Sequence, residues 1–262
     1  MLKSFAGGRI FGATWGSGAI TVVALHGWQR THADFDGVFA DPDFAAIHSA
    51  VGLDLFGFGA TPPPPEPWGA DEYARHLLPI FDGADGLAER VTVVGHSFGG
   101  RVAVRLAALA PDRIDRLVLT GAPLLTREGP RATPALSFRM ARFLHRRGLI
   151  GEARMEALRQ QHGSPDYRAA QGVMRGVFVK ELGERAAQGA DDLAEVDCPA
   201  DLLWGAEDTE VPLEVAVRAQ KLLRSSTLVT LPGVGHLTPT EAPVALRQAV
   251  LGPFDDSVSE VG

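Results

Sequence analysis

The 262-residue sequence holds one cysteine, Cys198, which excludes an internal disulfide and a cysteine-rich zinc site. Long apolar runs are also missing. Nothing approaches the roughly 18–20 consecutive apolar residues a membrane span needs, and residues 1–8 carry Lys3 but no apolar stretch of the secretory-signal kind. A cytoplasmic location is the expectation, in keeping with a cysteine usage suited to a reducing compartment. A basic excess is lacking too: 25 Lys+Arg stand against 32 Asp+Glu, a formal charge of −7. That balance speaks against general nucleic-acid binding, which uses a basic face.

What remains is the make-up of an ordinary globular protein, with 45% apolar residues. A chain of this size buries about 70–75% of its unfolded surface, so its core needs no metal or crosslink. The length suits one enlarged α/β domain. Neither a metal nor a cofactor is expected. The charge is unevenly spread: residues 123–192 carry 12 basic and 8 acidic side chains, a net of +4, which leaves −11 for the rest.

Short β-type runs at residues 9–14, 19–25, 46–53, 90–94 and 117–120 alternate with helical patterns, notably 71–81 and 99–110. In the second of these helices Val102, Leu106 and Leu109 recur at helical spacing and Pro111 stops the run. Val- and Leu-rich runs bounded by turn residues suit strands buried on both faces, so a mostly parallel sheet flanked by helices is expected. From residue 122 to 192 the strand signal disappears, and the pattern is helical and arginine-rich until residues 200–204 restore it. Loops of such length are rarely structureless. The expectation is therefore a core of residues 1–122 and 193–262 with a helical cap, 123–192, packed over one end of the sheet. Residues 252–262 read as a frayed tail.

The strongest chemical signal is Val93-Val94-Gly95-His96-Ser97-Phe98-Gly99-Gly100, a strand that runs into a helix through G-x-S-x-G. A nucleophile on such a tight turn needs small neighbours two residues before and after, which Gly95 and Gly99 supply. The turn aims the Ser97 hydroxyl off the sheet and sets the Phe98 N–H at a helix amino end, where it can stabilise negative charge. Serine needs a base. Among eight histidines, His236 fits, because Leu231-Pro232-Gly233-Val234-Gly235 lets a loop carry its imidazole back over the strand ends. His96 is expected to point away from the turn, and His145 and His162 belong to the insert. The base needs an acid in turn, and Glu207, Asp208 and Glu210 follow a strand together. Asp208 is the candidate, as a short side chain held in a turn is the more rigid. His26-Gly27-Trp28 follows another strand, so the Trp28 amide is expected to join that of Phe98 in an oxyanion hole while the indole packs.

Together these residues resemble the α/β-hydrolase fold family, in its serine-nucleophile branch with a cap inserted after the sixth strand. The resemblance runs over residues 10–250 and includes Asp54-Leu55-Phe56-Gly57-Phe58-Gly59-Ala60-Thr61, similar to the family's D-x-x-G-x-G-x-S loop with Thr61 in place of serine. It also takes in Val211-Pro212 and the Glu241 and Pro243 that follow Gly235-His236. The family's epoxide hydrolases and haloalkane dehalogenases carry aspartate at the nucleophile position, so Ser97 implies attack on an acyl carbonyl. The resemblance implies a serine hydrolase of the carboxylesterase type, acting on a small-to-medium ester through an acyl-enzyme. A C–C bond hydrolase, a perhydrolase, an acyltransferase and a non-enzymatic ligand receptor stay open. The arginines at 139, 142, 146 and 147 suit a carboxylate, a phosphate or an acidic carrier protein. With only 3 lysines among the 25 cations, they read more simply as compositional bias on a solvated face.

Overall fold

The computed structural model describes residues 2–127, 140–141, 143–145, 147–162 and 165–252. Eight strands form one sheet: β1 (Leu2–Phe5), β2 (Ile10–Trp15), β3 (Ile20–Leu25), β4 (Ala50–Asp54), β5 (Leu87–His96), β6 (Ile114–Thr120), β7 (Ala200–Gly205) and β8 (Ser226–Leu231). Their order is β1-β2-β4-β3-β5-β6-β7-β8. β2 is antiparallel to both its neighbours, and every other pairing is parallel. This is the α/β-hydrolase architecture, a mostly parallel sheet with helices on both faces.

The helices are α1 (Asp36–Phe39), α2 (Pro42–Ile47), α3 (Ala70–Leu77), α4 (Phe98–Leu109), α5 (Glu152–His162), α6 (Pro165–Ala169), α7 (Gly172–Ala194), α8 (Leu213–Gln220), α9 (Thr238–Glu241) and α10 (Pro243–Leu251). Side chains alternate along the central strands, and both alternating sets are apolar. Val22, Ala24, Val94 and Val118 join Phe35, Phe39 and Leu246 on the α1 and α10 face. Val23, Leu25, Val93, Leu117 and Leu119 join Tyr73, Leu77, Leu106 and Val215 on the α3, α4 and α8 face. Burying a Val or Leu stabilises by about 1.5–3 kcal/mol, so these strands are held from both sides and their carboxyl ends form a firm platform.

Boundaries differ from the sequence expectation in several places, β6 among them, which begins at Ile114 rather than 117. β1 was not foreseen: three of its four residues are exposed and it offers no alternating pattern. Residues 46 and 47, expected in a strand, close α2 instead. Asp41 caps that helix by accepting from the Asp43 and Phe44 amides, Pro42 starts it, and Ile47 is 79% exposed. β5 begins at Leu87 rather than 90 because the edge of β3 pairs Ile20 with Leu87 ahead of a bulge. The helix expected over 71–81 yields to a 3₁₀ turn at Leu78–Phe81, where Pro79 cannot donate to the helical ladder.

Between β6 and β7 the described residues form helices and no strand. The longest, α7, runs past residue 192 to Ala194 and is fastened to α4 by buried charge. Arg101, 1% exposed, donates to Glu181 Oε1 and to Asp192 Oδ2, each at 3.1 Å. Arg105 reaches Asp192 Oδ1 at 3.1 Å, Asp71 at 2.9 Å and Glu195 at 2.6 Å. Burial pushes the Glu181 carboxyl up to about 7, against the pull of Arg101 and Arg185. Among the described residues, no helix is long and apolar enough to cross a membrane.

Candidate active site

The turn from β5 into α4 places Ser97 at φ 50°, ψ −117°, outside the regions non-glycine residues favour. Such a backbone costs about 1–3 kcal/mol and needs its surroundings to enforce it. Here the Ser97 amide donates to the Thr120 carbonyl at 2.9 Å, the Gly99 amide to that of His26 at 3.1 Å and the Gly100 amide to that of Ser97 at 2.9 Å. Side chains at the flanking glycines would destroy the turn. A Cβ on Gly95 would lie 2.6 Å from Gly100 Cα, and one on Gly99 would overlap the carbonyls of Leu25 and His26.

The loop after β3 runs beside this turn. His26 is buried and its pKa is lowered to about 4, mainly by desolvation. The neutral ring bridges two segments: Nδ1 lies 2.7 Å from the Gly27 carbonyl, and Nε2 accepts the Leu55 amide at 3.0 Å. A Cβ on Gly27 would stand 3.3 Å from Ser97 Cβ and 3.1 Å from the His96 ring, so the loop passes very close to the serine. Trp28 follows, packed edge-on to Phe58 at 5.0 Å and Phe98 at 5.7 Å and tilted against Phe178 of α7 at 5.2 Å. Neither the Trp28 nor the Phe98 amide has a hydrogen-bond acceptor among the described residues.

His236 arrives on the loop after β8. Glu241 fixes that loop on both sides of the imidazole, accepting from the Gly235 amide at 2.6 Å and the Leu237 amide at 3.1 Å. His236 Nδ1 is 2.8 Å from Asp208 Oδ2, and Nε2 is 3.1 Å from Ser97 Oγ. With Nδ1–H donating to the carboxylate, Nε2 is left to accept the serine proton. Asp208 is itself held: Oδ1 accepts from the Glu210 and Val211 amides at 2.9 and 2.8 Å. The indole of Trp204, fully buried in β7, donates to the Val211 carbonyl at 2.8 Å and ties this loop to the core. Burial alone would lower the His236 pKa. The hydrogen bond and charge of Asp208, with the charges of Glu210 and Glu241, outweigh it and raise it.

The structure thus brings Ser97, His236 and Asp208 into one chain of contacts, with Trp28 and Phe98 beside it. Of the neighbours, Gly121 drew no attention in the sequence, whereas Glu210 and His96 were weighed there and passed over for Asp208 and His236. Gly121 follows β6 directly with φ 52°, and a Cβ there would lie 3.0 Å from the His236 ring and 3.3 Å from Asp208 Oδ2. The Glu210 carboxylate approaches Nε2 at 3.5 Å, whereas Glu207 is exposed elsewhere in the same loop. His96 bonds to neither Ser97 nor His236, yet its ring lies 5.1 Å from that of His236 and borders the same cavity. That cavity, about 330 Å³, is also lined by Trp28, Arg30, Asp166 and Glu210. Of the four grouped arginines, 139, 142 and 146 lie outside the described residues, and Arg147 sits over the Phe143 ring at 5.0 Å. The expected tail likewise falls outside them from residue 253.

Known proteins agree with this architecture. The chain is 26% identical over 206 residues to a 2-hydroxy-6-oxo-2,4-heptadienoate hydrolase of Pseudomonas putida, covering 74% of each chain. It is 27% identical over 263 residues to a 2-hydroxy-6-oxononadienedioate/2-hydroxy-6-oxononatrienedioate hydrolase of Cupriavidus pinatubonensis, covering 90% of this chain and 87% of that one. A thermophilic esterase of Thermogutta terrifontis superposes with a TM-score of 0.67 at 21% identity, over 96% of this chain and 97% of its own. The model of the alpha/beta hydrolase family matches residues 22–249, which take in all of the site and the parallel strands except the first two residues of β3, and on that match the chain belongs to this family.

Proposed function

We propose that the protein is a serine hydrolase that cleaves a small-to-medium carboxylic ester through an acyl-enzyme, with Ser97 as nucleophile, His236 as general base and acid, and Asp208 as its orienting partner. The observation that carries this reading is the imidazole seated between Ser97 Oγ at 3.1 Å and Asp208 at 2.8 Å. His236 takes the Ser97 proton as the hydroxyl oxygen attacks the ester carbonyl. The Trp28 and Phe98 amides receive the oxyanion, and the strained turn presents the nucleophile to it. His236 then hands its proton to the leaving alcohol, and water repeats the sequence in reverse to free the acid. A cavity of about 330 Å³ suits a small-to-medium substrate. Residues 123–192, with the helices between β6 and β7, act as the cap over the core of 1–122 and 193–262. The setting is cytoplasmic, and the partner is the ester itself.

Ser97→Ala is expected to abolish hydrolysis of short p-nitrophenyl esters with Tm nearly unchanged, and retained turnover in the purified variant overturns the assignment. A second reading, C–C bond hydrolysis, is favoured by the names of the Pseudomonas and Cupriavidus relatives. Offering the enzyme a vinylogous diketone beside p-nitrophenyl butyrate separates the two. A competing alcohol or peroxide in the product assay reveals acyl transfer or perhydrolysis.

A further inference from the structure

Two carboxylates flank the same imidazole from opposite sides. The Asp208 side chain is fully shielded and meets Nδ1, whereas that of Glu210 is 68% exposed and stands 3.5 Å from Nε2, the nitrogen facing Ser97. Glu210 therefore lies where a leaving alcohol must collect its proton. Asp166 of α6 borders the same cavity. Its lining cation, Arg30, is already engaged, with Nε and Nη2 forked onto Asp34 at 2.8 and 2.6 Å. Among the described residues lining this cavity, an incoming anion meets two carboxylates and an arginine that is already neutralised.

We infer that Glu210 is a specificity-determining residue, one that tunes the Ser97 cavity to esters with a neutral or cationic alcohol portion and against esters that bring negative charge beside the scissile bond. The inference rests on the serine-esterase reading above and names the substrate class of that site. It concerns the side of the cavity where the alcohol departs, since Nε2 must release its proton there. A unit charge on the alcohol roughly 7 Å from Glu210, in partly aqueous surroundings, changes the rate by about three- to tenfold. Exposure of the carboxylate makes the effect sensitive to salt. Glu210 also acts on the base itself. The charged or titratable groups facing the His236 ring are Asp208 and Glu210 from the loop after β7, Glu241 from α9, and His96 at the end of β5. Removing the Glu210 charge leaves two carboxylates where there were three, so the imidazolium becomes less stable.

The test compares kcat/KM for three butyrate esters of similar shape: butyrylcholine, its uncharged analogue 3,3-dimethylbutyl butyrate, and anionic 2-sulfoethyl butyrate. The wild type is expected to rank them cationic, neutral, anionic, with a span of about tenfold that narrows in 1 M salt. Glu210→Gln should cut the cation-to-anion ratio at least threefold, and Glu210→Lys should reverse it. In Glu210→Gln, the acid limb of the pH profile on the neutral ester should also move to lower pH, which a loss of packing would not cause. A cation-to-anion ratio and an acid limb both unchanged in Glu210→Gln overturn the inference, provided that Ser97→Ala is inactive on all three esters. Turnover that survives Ser97→Ala, or none by the wild type on any ester, instead removes the serine-esterase reading and this inference with it.

Discussion

His96 and His236 lie with their rings 5.1 Å apart, yet the protein treats them in opposite ways. His96 precedes Ser97 in the chain and is buried, its Nδ1 3.2 Å from both the carbonyl and the hydroxyl of Thr120. Burial first, and the His236 charge second, push its pKa down to about 3. His236 comes 139 residues after Ser97, meets solvent at the cavity, and has its pKa raised because Asp208 stands behind it. In the proposed mechanism His96, despite its adjacency to Ser97 in the chain, takes no part in proton transfer. A carboxylate at the far nitrogen and an open near nitrogen are what turn an imidazole into a base.

The bluntest way to break this comparison is to exchange the losses. His236→Ala should lower kcat on p-nitrophenyl butyrate by about 10³-fold or more, while His96→Asn should cost about tenfold at most. Comparable losses in steady-state assays would mean that both rings carry protons. Asp208→Asn should cost roughly 10²–10⁴ in kcat with little change in KM, because the wrong tautomer then faces Ser97. A loss under tenfold would mean that Asp208 does not set the tautomer of His236. A pH profile sharpens the contrast further. Only neutral His236 accepts the serine proton, so kcat/KM should fall as pH drops through a pKa above the usual 6.5. An acid limb well below 6.5 would show that the carboxylates fail to reach the ring. The last effect is on stability and concerns the two rings kept neutral. His26 and His96, depressed to about 4 and about 3, stay neutral in the folded state while the unfolded chain protonates them near 6.5. The unfolded state thus binds more protons between these values, and their contribution to stability, complete above pH 6.5, is lost progressively down to about pH 4 for His26 and about pH 3 for His96. Thermal melts from pH 7.5 to 4.5 should show it, and melts of His96→Asn should slope less steeply.

How far the sequence could be read follows from the range over which each signal acts. The parallel strands were legible because Val93, Val94, Leu117 and Leu119 are apolar on both faces. Ser97 stood out because its turn needs Gly95 and Gly99 within two residues. His236 and Asp208 could be singled out by loop composition, although the contacts that join them exist only after β7 and β8 lie side by side. Gly121 was invisible: what requires glycine there is an imidazole contributed from 115 residues further on. Glu210 was one of three neighbouring acids, and nothing in its own segment says that its carboxylate faces Nε2. β1 and the end of α2 were misjudged because an exposed edge and an Asp-Pro cap leave little hydrophobic pattern.

The fork from Arg101 to Glu181 and Asp192 has a practical bearing on anyone grafting a foreign lid onto this scaffold. Arg101 lies one turn beyond Ser97, so a chimera lacking both acids strands a guanidinium inside the protein, at a cost of about 3–5 kcal/mol. The strain would be felt in the very helix that aims the serine. Chimeras should therefore carry an apolar residue at 101, or import both acids together with the new lid.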